Sequence, residues 1–211
     1  MTDFQQREAL IKFALKMNAS GINQGTSGNL SVRSKAGFLI TPSALPYDQC
    51  LAQDIVPMSL DGKAGGVRKP SSEWRFHRDI YVQRTEARAV LHAHSPWATT
   101  LACLKKPIPA FHYMVAVAGG VDIRCAPYAM FGTEKLSRYT LEALQDRKAC
   151  LLANHGMVCL GDSLEQVFLL AIEVENLARV YVQALQVGEP ECLPESEMRR
   201  VLHAFTTYRS E

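Results

Sequence analysis

The segment from Ala89 to Pro96, which reads AVLHAHSP, constrains the fold of this chain more than any other stretch. With a side-chain period of two, His92 and His94 lie on one face of a strand, close enough to bind one metal ion. Ser95 and Pro96 are typical of the N-cap and first position of a helix. The segment predicts a strand that ends in a metal site, where α/β proteins often bind ligands. The alternative is a buried strand with two hydrogen-bonded histidines.

Two further titratable residues occur in settings typical of metal ligands. His155 lies between two apolar half-strands, in a hairpin-like turn over residues 154–156. Glu73 lies in the first turn of a helix that the pair Ser71-Ser72 begins. Alone, His155 also fits a buried histidine that the backbone satisfies, and Glu73 fits a helix cap. His77, one helical turn after Glu73, is a rival ligand, although Glu–His pairs at this spacing are common on helices.

Together these residues predict one metal centre, formed by His92, His94, His155 and Glu73. Three imidazoles leave a coordination position open on zinc, which is typical of catalytic sites rather than closed structural ones. Because imidazole is a neutral ligand, the ion would remain a strong Lewis acid. The four residues therefore indicate an enzyme that polarises an oxygen atom of its substrate.

Two polar stretches are candidates for binding an oxyanion. Within residues 25–33, Gly28 permits a turn that leaves backbone N–H groups exposed, and Ser27 and Asn29 add side-chain donors. The helix start at Ser71-Ser72 offers free N–H groups and the positive end of a helix dipole. Each stretch alone is also compatible with an ordinary turn or cap. Beside a Lewis-acidic metal, they indicate a phosphorylated substrate that carries a carbonyl or hydroxyl group.

Composition argues against several other classes of protein. The chain has 211 residues, 47% of them hydrophobic, and no internal repeat or linker, so we expect a single domain over residues 1–211. A formal net charge of +2, without a long basic run, argues against nucleic acid as the main partner. No apolar run approaches the ~20 residues of a membrane span. Six scattered cysteines without a Cys-x-x-Cys motif suit a reducing cytoplasm.

The hydrophobic periodicity alternates between helix and strand along the chain, which predicts an α/β fold. The predicted helices cover residues 3–19, 71–81, 96–104, 134–145, 164–187 and 195–205. The predicted strands follow residue 28 and cover residues 37–41, 55–60, 89–94 and the two arms of 149–160.

Five motifs resemble the class II aldolase/adducin family: Thr26–Ser31, Ile40–Ser43, Pro70–Glu73, His92–Ser95 and Asn154–Gly156. Their order and spacing match over nearly the whole chain, most closely in members that act on L-fuculose 1-phosphate. The resemblance implies three layers, α/β/α, with a mostly antiparallel central sheet. It also implies a cyclic homotetramer whose active sites lie between subunits.

The resemblance implies roles for particular residues as well. Zinc, or manganese, cobalt or iron in its place, would bind His92, His94 and His155, with Glu73 as a fourth ligand at rest. The phosphate would be held by Gly28, Asn29, Ser43, Ala44, Ser71 and Ser72, and the aldehyde side would be lined by Tyr113, Phe131 and Tyr208. The fuculose-specific members carry Thr-Gly at positions 43 and 44, and alanine tolerates a positive φ less well than glycine.

We therefore expect a zinc-dependent aldolase that cleaves a ketose 1-phosphate to dihydroxyacetone phosphate and an aldehyde such as lactaldehyde. The substrate would be L-fuculose 1-phosphate or a related deoxyketose 1-phosphate, including 5-deoxypentulose and methylthiopentulose 1-phosphates. Glu73 would move the proton on the dihydroxyacetone phosphate fragment, and Tyr113 the proton on the aldehyde oxygen.

Three alternatives within the family remain. One is a pentulose-phosphate epimerase, which would need an extra acid and a longer C-terminal region. A second is a methylthioribulose-1-phosphate dehydratase or aldolase. A third is a non-catalytic adducin-like assembly module, which the presence of all four metal ligands disfavours.

Overall fold

The structure is a computed structural model, which describes residues 2–208, with side chains as far as residue 207. The helices are α1 (Asp3–Ala19), α2 (Trp74–Gln83), α3 (Pro96–Cys103), α4 (Glu134–Ala143), α5 (Leu164–Val187) and α6 (Glu195–Tyr208). The strands are β1 (Asn29–Ser34), β2 (Gly37–Ile40), β3 (Val56–Met58), β4 (Ala89–Ala93), β5 (Cys125–Ala126), β6 (Ala149–Leu152) and β7 (Gly156–Gly161).

Local sequence signals determine where several helices begin and end. Helices α1 and α5 have the bounds that the periodicity predicts. Thr133 and Ser163 each accept a backbone N–H of the first turn, as N-cap residues do. Helix α2 begins later than predicted, with Glu73 at the N-cap instead of inside the first turn. The segment Tyr113–Ala118, for which the sequence predicted no element, forms a 3-10 helix.

All seven strands belong to one sheet, in the order β3-β2-β1-β4-β7-β6-β5. Every neighbouring pair is antiparallel except β5 and β6. The mostly antiparallel sheet that the resemblance implies is therefore confirmed. The central strand β4 pairs with β1 so that Asn29 lies opposite His92, and with β7 so that Val158 lies opposite His92. This register brings polar residues of β1 beside the histidine strand.

Each face of the sheet is buried in its own hydrophobic core. On β4, Leu91 and Ala93 belong to a core that includes residues of α1, α3 and α5. Val90 belongs to a second core, shared with α2 and α4. This division follows from the alternation of side chains along a strand. Burying one large apolar side chain contributes about 1.5–3 kcal/mol, so both sets of helices are held firmly to the sheet.

Among the residues that the structure describes, no helix is long and apolar enough to cross a membrane.

Candidate metal centre and active site

Three separate parts of the chain meet at the C-terminal end of β4. His92 lies within β4 and His94 directly follows its last residue, His155 lies in the turn between β6 and β7, and Glu73 is the N-cap residue of α2. The turn can approach β4 closely because residue 156 is glycine. A β-carbon there would collide with the carbonyl oxygen of Ala93 and would lie 3.0 Å from Cδ2 of His94. Asn154 adopts a φ of 56°, as asparagine often does in tight turns.

The predicted ligand atoms converge on one position. The ligand atoms of Glu73, His92, His94 and His155 all lie within 4.8 Å of one another. Nε2 of His92 lies 2.9 Å from Nε2 of His94 and 3.1 Å from Oε2 of Glu73. Nε2 of His155 lies 3.2 Å from Oε1 of Glu73. The rival ligand, His77, is not a member of this cluster.

The donor set fits a divalent transition-metal ion. Among the described residues, Oε1 of Glu73 is buried and makes no hydrogen bond, and coordination would satisfy it. Nδ1 of His92 lies 2.9 Å from the carbonyl oxygen of Met157, which can only accept. His92 must therefore donate from Nδ1, so the lone pair of Nε2 faces the centre. Three imidazoles and one carboxylate are common ligands of zinc.

Burial and neighbouring charges set the protonation states of the site. Burial lowers the pKa of His94 and of His155 to about 4, so both imidazoles are neutral at pH 7, as metal binding requires. Burial alone would raise the pKa of Glu73, but the nearby imidazoles of His92 and His155 and the hydrogen bond from Asn29 lower it to about 2. The Glu73 carboxylate is therefore ionised.

A chain of buried side chains adjoins the metal site on the α2 side of the sheet. Asn29 donates to Oε2 of Glu73 at 3.0 Å, and Nε2 of His77 lies 2.5 Å from Oδ1 of Asn29. Ser31 lies 2.7 Å from Nδ1 of His77 and 2.8 Å from the hydroxyl of Tyr81. Burial lowers the pKa of His77 to about 3, so His77 is neutral. Sequence reasoning noticed His77 only as a rival ligand and missed Ser31 and Tyr81.

A cavity of about 430 Å³ opens beside the metal ligands. Its lining combines hydroxyl groups, an aromatic and apolar part, and three of the four metal ligands. The lining residues are Thr26, Ser27, Ser43, Ala44, Ser72, Glu73, His94, Tyr128, Ala129, Phe131, Asn154 and His155. Tyr128 and Ala129 were not predicted from the sequence. They could have been suspected only from their position shortly before Phe131.

The residues predicted to hold phosphate divide into two groups. Ser43, Ala44 and Ser72 line the cavity. Gly28, Asn29 and Ser71 are buried, and each lies within two residues of a cavity-lining residue in the sequence. The Ser71 hydroxyl accepts the N–H of Glu73, and both polar atoms of the Asn29 side chain are already hydrogen-bonded. Phosphate binding by these three residues stays a prediction.

Gly28 also has a packing role that the sequence did not predict. It does not adopt a positive φ, although the sequence suggested a turn of the kind that glycine permits. A β-carbon at residue 28 would instead collide with the side chain of Asn23 and the carbonyl oxygen of His92. Glycine therefore permits the close approach of the β1 start to β4 at the metal site.

The aldehyde-side residues do not all lie at the site of their own chain. Phe131 lines the cavity and is 60% exposed. Tyr113 is half exposed, and its ring stacks on His112 at 4.9 Å and lies 6.5 Å from the ring of Phe205 on α6. Tyr113 is thus a surface residue rather than a core one. Tyr208 ends α6, but its side chain lies outside the described part of the chain.

The fold and the site together define an α/β protein with a candidate metal centre beside a cavity that is partly lined by hydroxyl groups. A family model described as "Class II Aldolase and Adducin N-terminal domain" matches residues 8–182. The chain is 54% identical over 202 residues to a 5-methylthioribulose-1-phosphate/5-deoxyribulose-1-phosphate aldolase of Rhodospirillum rubrum, covering 96% of this chain and 91% of the relative. It is 45% identical over 200 residues to an L-fuculose phosphate aldolase of Escherichia coli K12, covering 94% and 93%.

The comparison of structures agrees with the comparison of sequences. A solved L-fuculose 1-phosphate aldolase superimposes with a TM-score of 0.93 at 41% identity, covering 96% of each chain. The chain belongs to the class II aldolase/adducin family and is a metal-dependent class II aldolase. The family, the fold and the enzyme class that the motifs implied are confirmed.

Proposed function

We propose that the enzyme cleaves a deoxyketose 1-phosphate whose far end is apolar, and that it prefers 5-deoxyribulose 1-phosphate or its 5-methylthio analogue. The observation that carries this proposal is the lining of the cavity. Thr26, Ser27, Ser43 and Ser72 offer hydroxyl groups for the phosphate, and Tyr128, Ala129 and Phe131 offer an aromatic and apolar surface for a methyl or methylthio group. The products would be dihydroxyacetone phosphate and an aldehyde.

Similarity to named relatives supports the pentulose over the hexulose. The relative at 54% identity is named for methylthioribulose and deoxyribulose 1-phosphates, and the one at 45% is named for L-fuculose phosphate. L-Fuculose 1-phosphate, which also ends in a methyl group, is therefore the second candidate substrate.

Zinc is the ion that we propose for the centre, with manganese or cobalt as alternatives. When bound, the ion supplies Lewis acidity that stabilises the negative charge developing on the dihydroxyacetone phosphate fragment. In synthesis the ionised Glu73 carboxylate removes a proton from the carbon of that fragment; in cleavage Glu73 first takes up a proton from solvent and then delivers it to that carbon. The hydrogen bond from Asn29 holds Oε2 of Glu73 while this transfer occurs.

The assembly that the resemblance implies is also part of the proposal. We propose that residues 1–211 form one three-layer domain, which the separate cores on the two faces of the sheet support. A cyclic homotetramer would allow Tyr113 and Tyr208 to complete the site of a neighbouring subunit, since Tyr113 is exposed and contacts Phe205 of α6. A phosphorylated sugar as substrate fits a cytoplasmic enzyme.

A coupled assay for dihydroxyacetone phosphate tests the substrate. The matched pair is 5-deoxyribulose 1-phosphate and ribulose 1-phosphate, which differ by one hydroxyl group. We expect kcat/KM to be about 10- to 100-fold lower for ribulose 1-phosphate, because an apolar pocket leaves the added hydroxyl unpaired. We expect a chelator to abolish turnover and zinc to restore it. Equal rates for the pair, or no product from any ketose 1-phosphate, would refute the proposal.

A further inference from the structure

Four polar side chains occupy a place where the fold could bury hydrocarbon. Asn29 and Ser31 project from β1, and His77 and Tyr81 lie one helical turn apart on α2. All four are at most 2% exposed. Burying such groups costs several kcal/mol unless each finds a partner, and here each of the four is hydrogen-bonded to the next.

The chemistry of the carboxylate fixes the direction of every hydrogen bond in this chain. An ionised Glu73 can only accept, so the amide of Asn29 must turn its NH₂ toward Oε2 and its Oδ1 toward His77. His77 must then donate from Nε2, which leaves Nδ1 as an acceptor for the Ser31 hydroxyl. Ser31 in turn accepts from Tyr81.

The reverse arrangement would place Oδ1 of Asn29 against the carboxylate, two acceptors facing each other. The neutral tautomer of His77 with hydrogen on Nε2 therefore selects the productive orientation of Asn29. Ser31 donates the hydrogen bond that Nδ1 accepts and Tyr81 in turn donates to Ser31, so the two hydroxyl groups together stabilise that tautomer. All donors point toward Glu73, and hydrogen bonds aligned in this way strengthen one another.

We propose that His77 is a positioning residue, which fixes the Glu73 carboxylate through Asn29, and that Ser31 and Tyr81 hold His77 in the required tautomer. The inference rests on the proposed role of Glu73 as the group that transfers the proton. It adds that the geometry of this group is set by residues of α2 and β1 that do not line the cavity, rather than by substrate or metal alone.

Two substitutions separate the positioning role from a merely structural one. In His77→Gln, the amide nitrogen takes the place of Nε2 and keeps a donor for Asn29. In His77→Asn, the shorter amide takes the place of Nδ1, so it keeps a partner for Ser31 and cannot reach Asn29. Both substitutions replace the same buried imidazole ring with an amide, so both are expected to lower the thermal midpoint.

We expect His77→Asn to lower kcat about 10- to 100-fold while KM changes little, the usual size of effect for a group that orients a metal ligand. His77→Gln should retain kcat within about threefold of the unsubstituted enzyme. Assays run well below both thermal midpoints remove any contribution from unfolding. Equal loss in the two variants, or a greater loss in His77→Gln, would overturn the proposal.

A spectroscopic measurement gives a readout that does not depend on turnover. In the cobalt-loaded protein, the visible absorption spectrum reports the ligands around the ion. We expect an altered spectrum for His77→Asn and an unaltered one for His77→Gln. If His77→Asn does not fold, Ser31→Ala provides the test: it frees Nδ1 of His77, and should lower kcat and shift the spectrum in the same direction. An unaltered spectrum and kcat in Ser31→Ala would refute the positioning role of His77.

Glu73→Gln, measured in parallel, distinguishes a failure of the proposed function from a failure of the positioning role of His77. Near-normal turnover in Glu73→Gln would show that Glu73 does not transfer the proton. The positioning of Glu73 by His77 would then have no catalytic purpose. Loss of turnover in Glu73→Gln together with indistinguishable His77 variants would leave the proposed function standing and refute only the positioning role.

Discussion

At the scale of single residues, Ala44 is held in a conformation that alanine disfavours. Its φ is 57°, in the left-handed region, and it lines the cavity beside the candidate metal centre. The left-handed conformation costs a non-glycine residue about 1–2 kcal/mol. The sequence raised the question whether alanine could adopt a positive φ at this position, and the structure shows that it does. Strain of this kind is typical of residues that present a backbone N–H to a ligand.

Ala44→Gly is expected to raise the free energy of unfolding by roughly 0.5–1 kcal/mol, because the relief of strain exceeds the added entropy of the unfolded chain. The measurement is urea denaturation. Ala36, an exposed turn residue without a positive φ, provides the control, since Ala36→Gly should lower stability. A decrease in both variants would show that Ala44 is not strained.

The histidines that meet at the candidate metal centre could be predicted from the sequence because their signal is local. His92 and His94 share a strand face, and His155 is isolated among apolar residues. The chain of hydrogen bonds from Glu73 to Tyr81 could not be predicted, because these bonds depend on which strands pair. The register of β1 against β4, and the packing of α2 beside them, place Asn29 and Ser31 next to His77. No spacing within one segment indicates that contact.

At the scale of elements, α5 supplies the cap that fixes the start of α3. Ser95 occupies the predicted N-cap position, but its side chain makes no capping bond. Glu175 of α5 instead accepts from the Ser95 hydroxyl at 2.6 Å and from the N–H groups of Trp97 and Ala98 at 2.9 Å each. A carboxylate at this end also complements the helix dipole. It thereby holds the segment that directly follows His94.

Glu175→Gln is expected to lower the free energy of unfolding by about 1–2 kcal/mol, since a neutral amide cannot satisfy three donors. Zinc affinity should fall as well, because the backbone after His94 loosens. Chemical denaturation and competition with a chelator measure the two effects. Glu173→Gln is the matched control on the same helix, as no hydrogen bond of its side chain occurs among the described residues. Equal effects in both variants would exclude the capping role.

Asp54 connects the loop before β3 to Arg68, which lies in the segment after β3. It accepts from Arg68 and from the N–H of Leu51 at 2.8 and 2.9 Å, and these bonds lower its pKa. A carboxyl group with a lowered pKa stabilises the folded state above its unfolded pKa, and this stabilisation is lost as the pH falls through the folded pKa. The substitution Asp54→Asn should therefore lower the free energy of unfolding more at pH 7 than at pH 3, as measured by chemical denaturation. An equal loss of stability at the two pH values would contradict this expectation.

At the scale of the whole molecule, the sequence predicted the helices and the class of fold but not the order of strands. Helix bounds follow from periodicity and caps, both of which are local. The sheet order β3-β2-β1-β4-β7-β6-β5 depends on pairing between distant segments. The resemblance to a known family implied only that the sheet is mostly antiparallel. The position of Tyr113 is also a global property: it lies on the surface with Phe205, not at the cavity of its own chain.

Mixing two inactive variants tests whether neighbouring subunits share a site. Glu73→Gln and Tyr113→Phe should each have little activity alone. In co-assembled rings, about a quarter of the sites would combine an intact Glu73 with an intact Tyr113 of the next subunit, so activity should recover to roughly that fraction. The measurement is turnover after co-expression. No recovery would mean that both residues act within one subunit or that no ring forms.

The most direct test of the central claim is anomalous diffraction from crystals grown with one equivalent of zinc. We expect one strong peak per chain, about 2.0–2.1 Å from Nε2 of His92, His94 and His155, and close to the Glu73 carboxylate. A peak bound elsewhere, or three imidazole rings at this position with no ion among them, would contradict it.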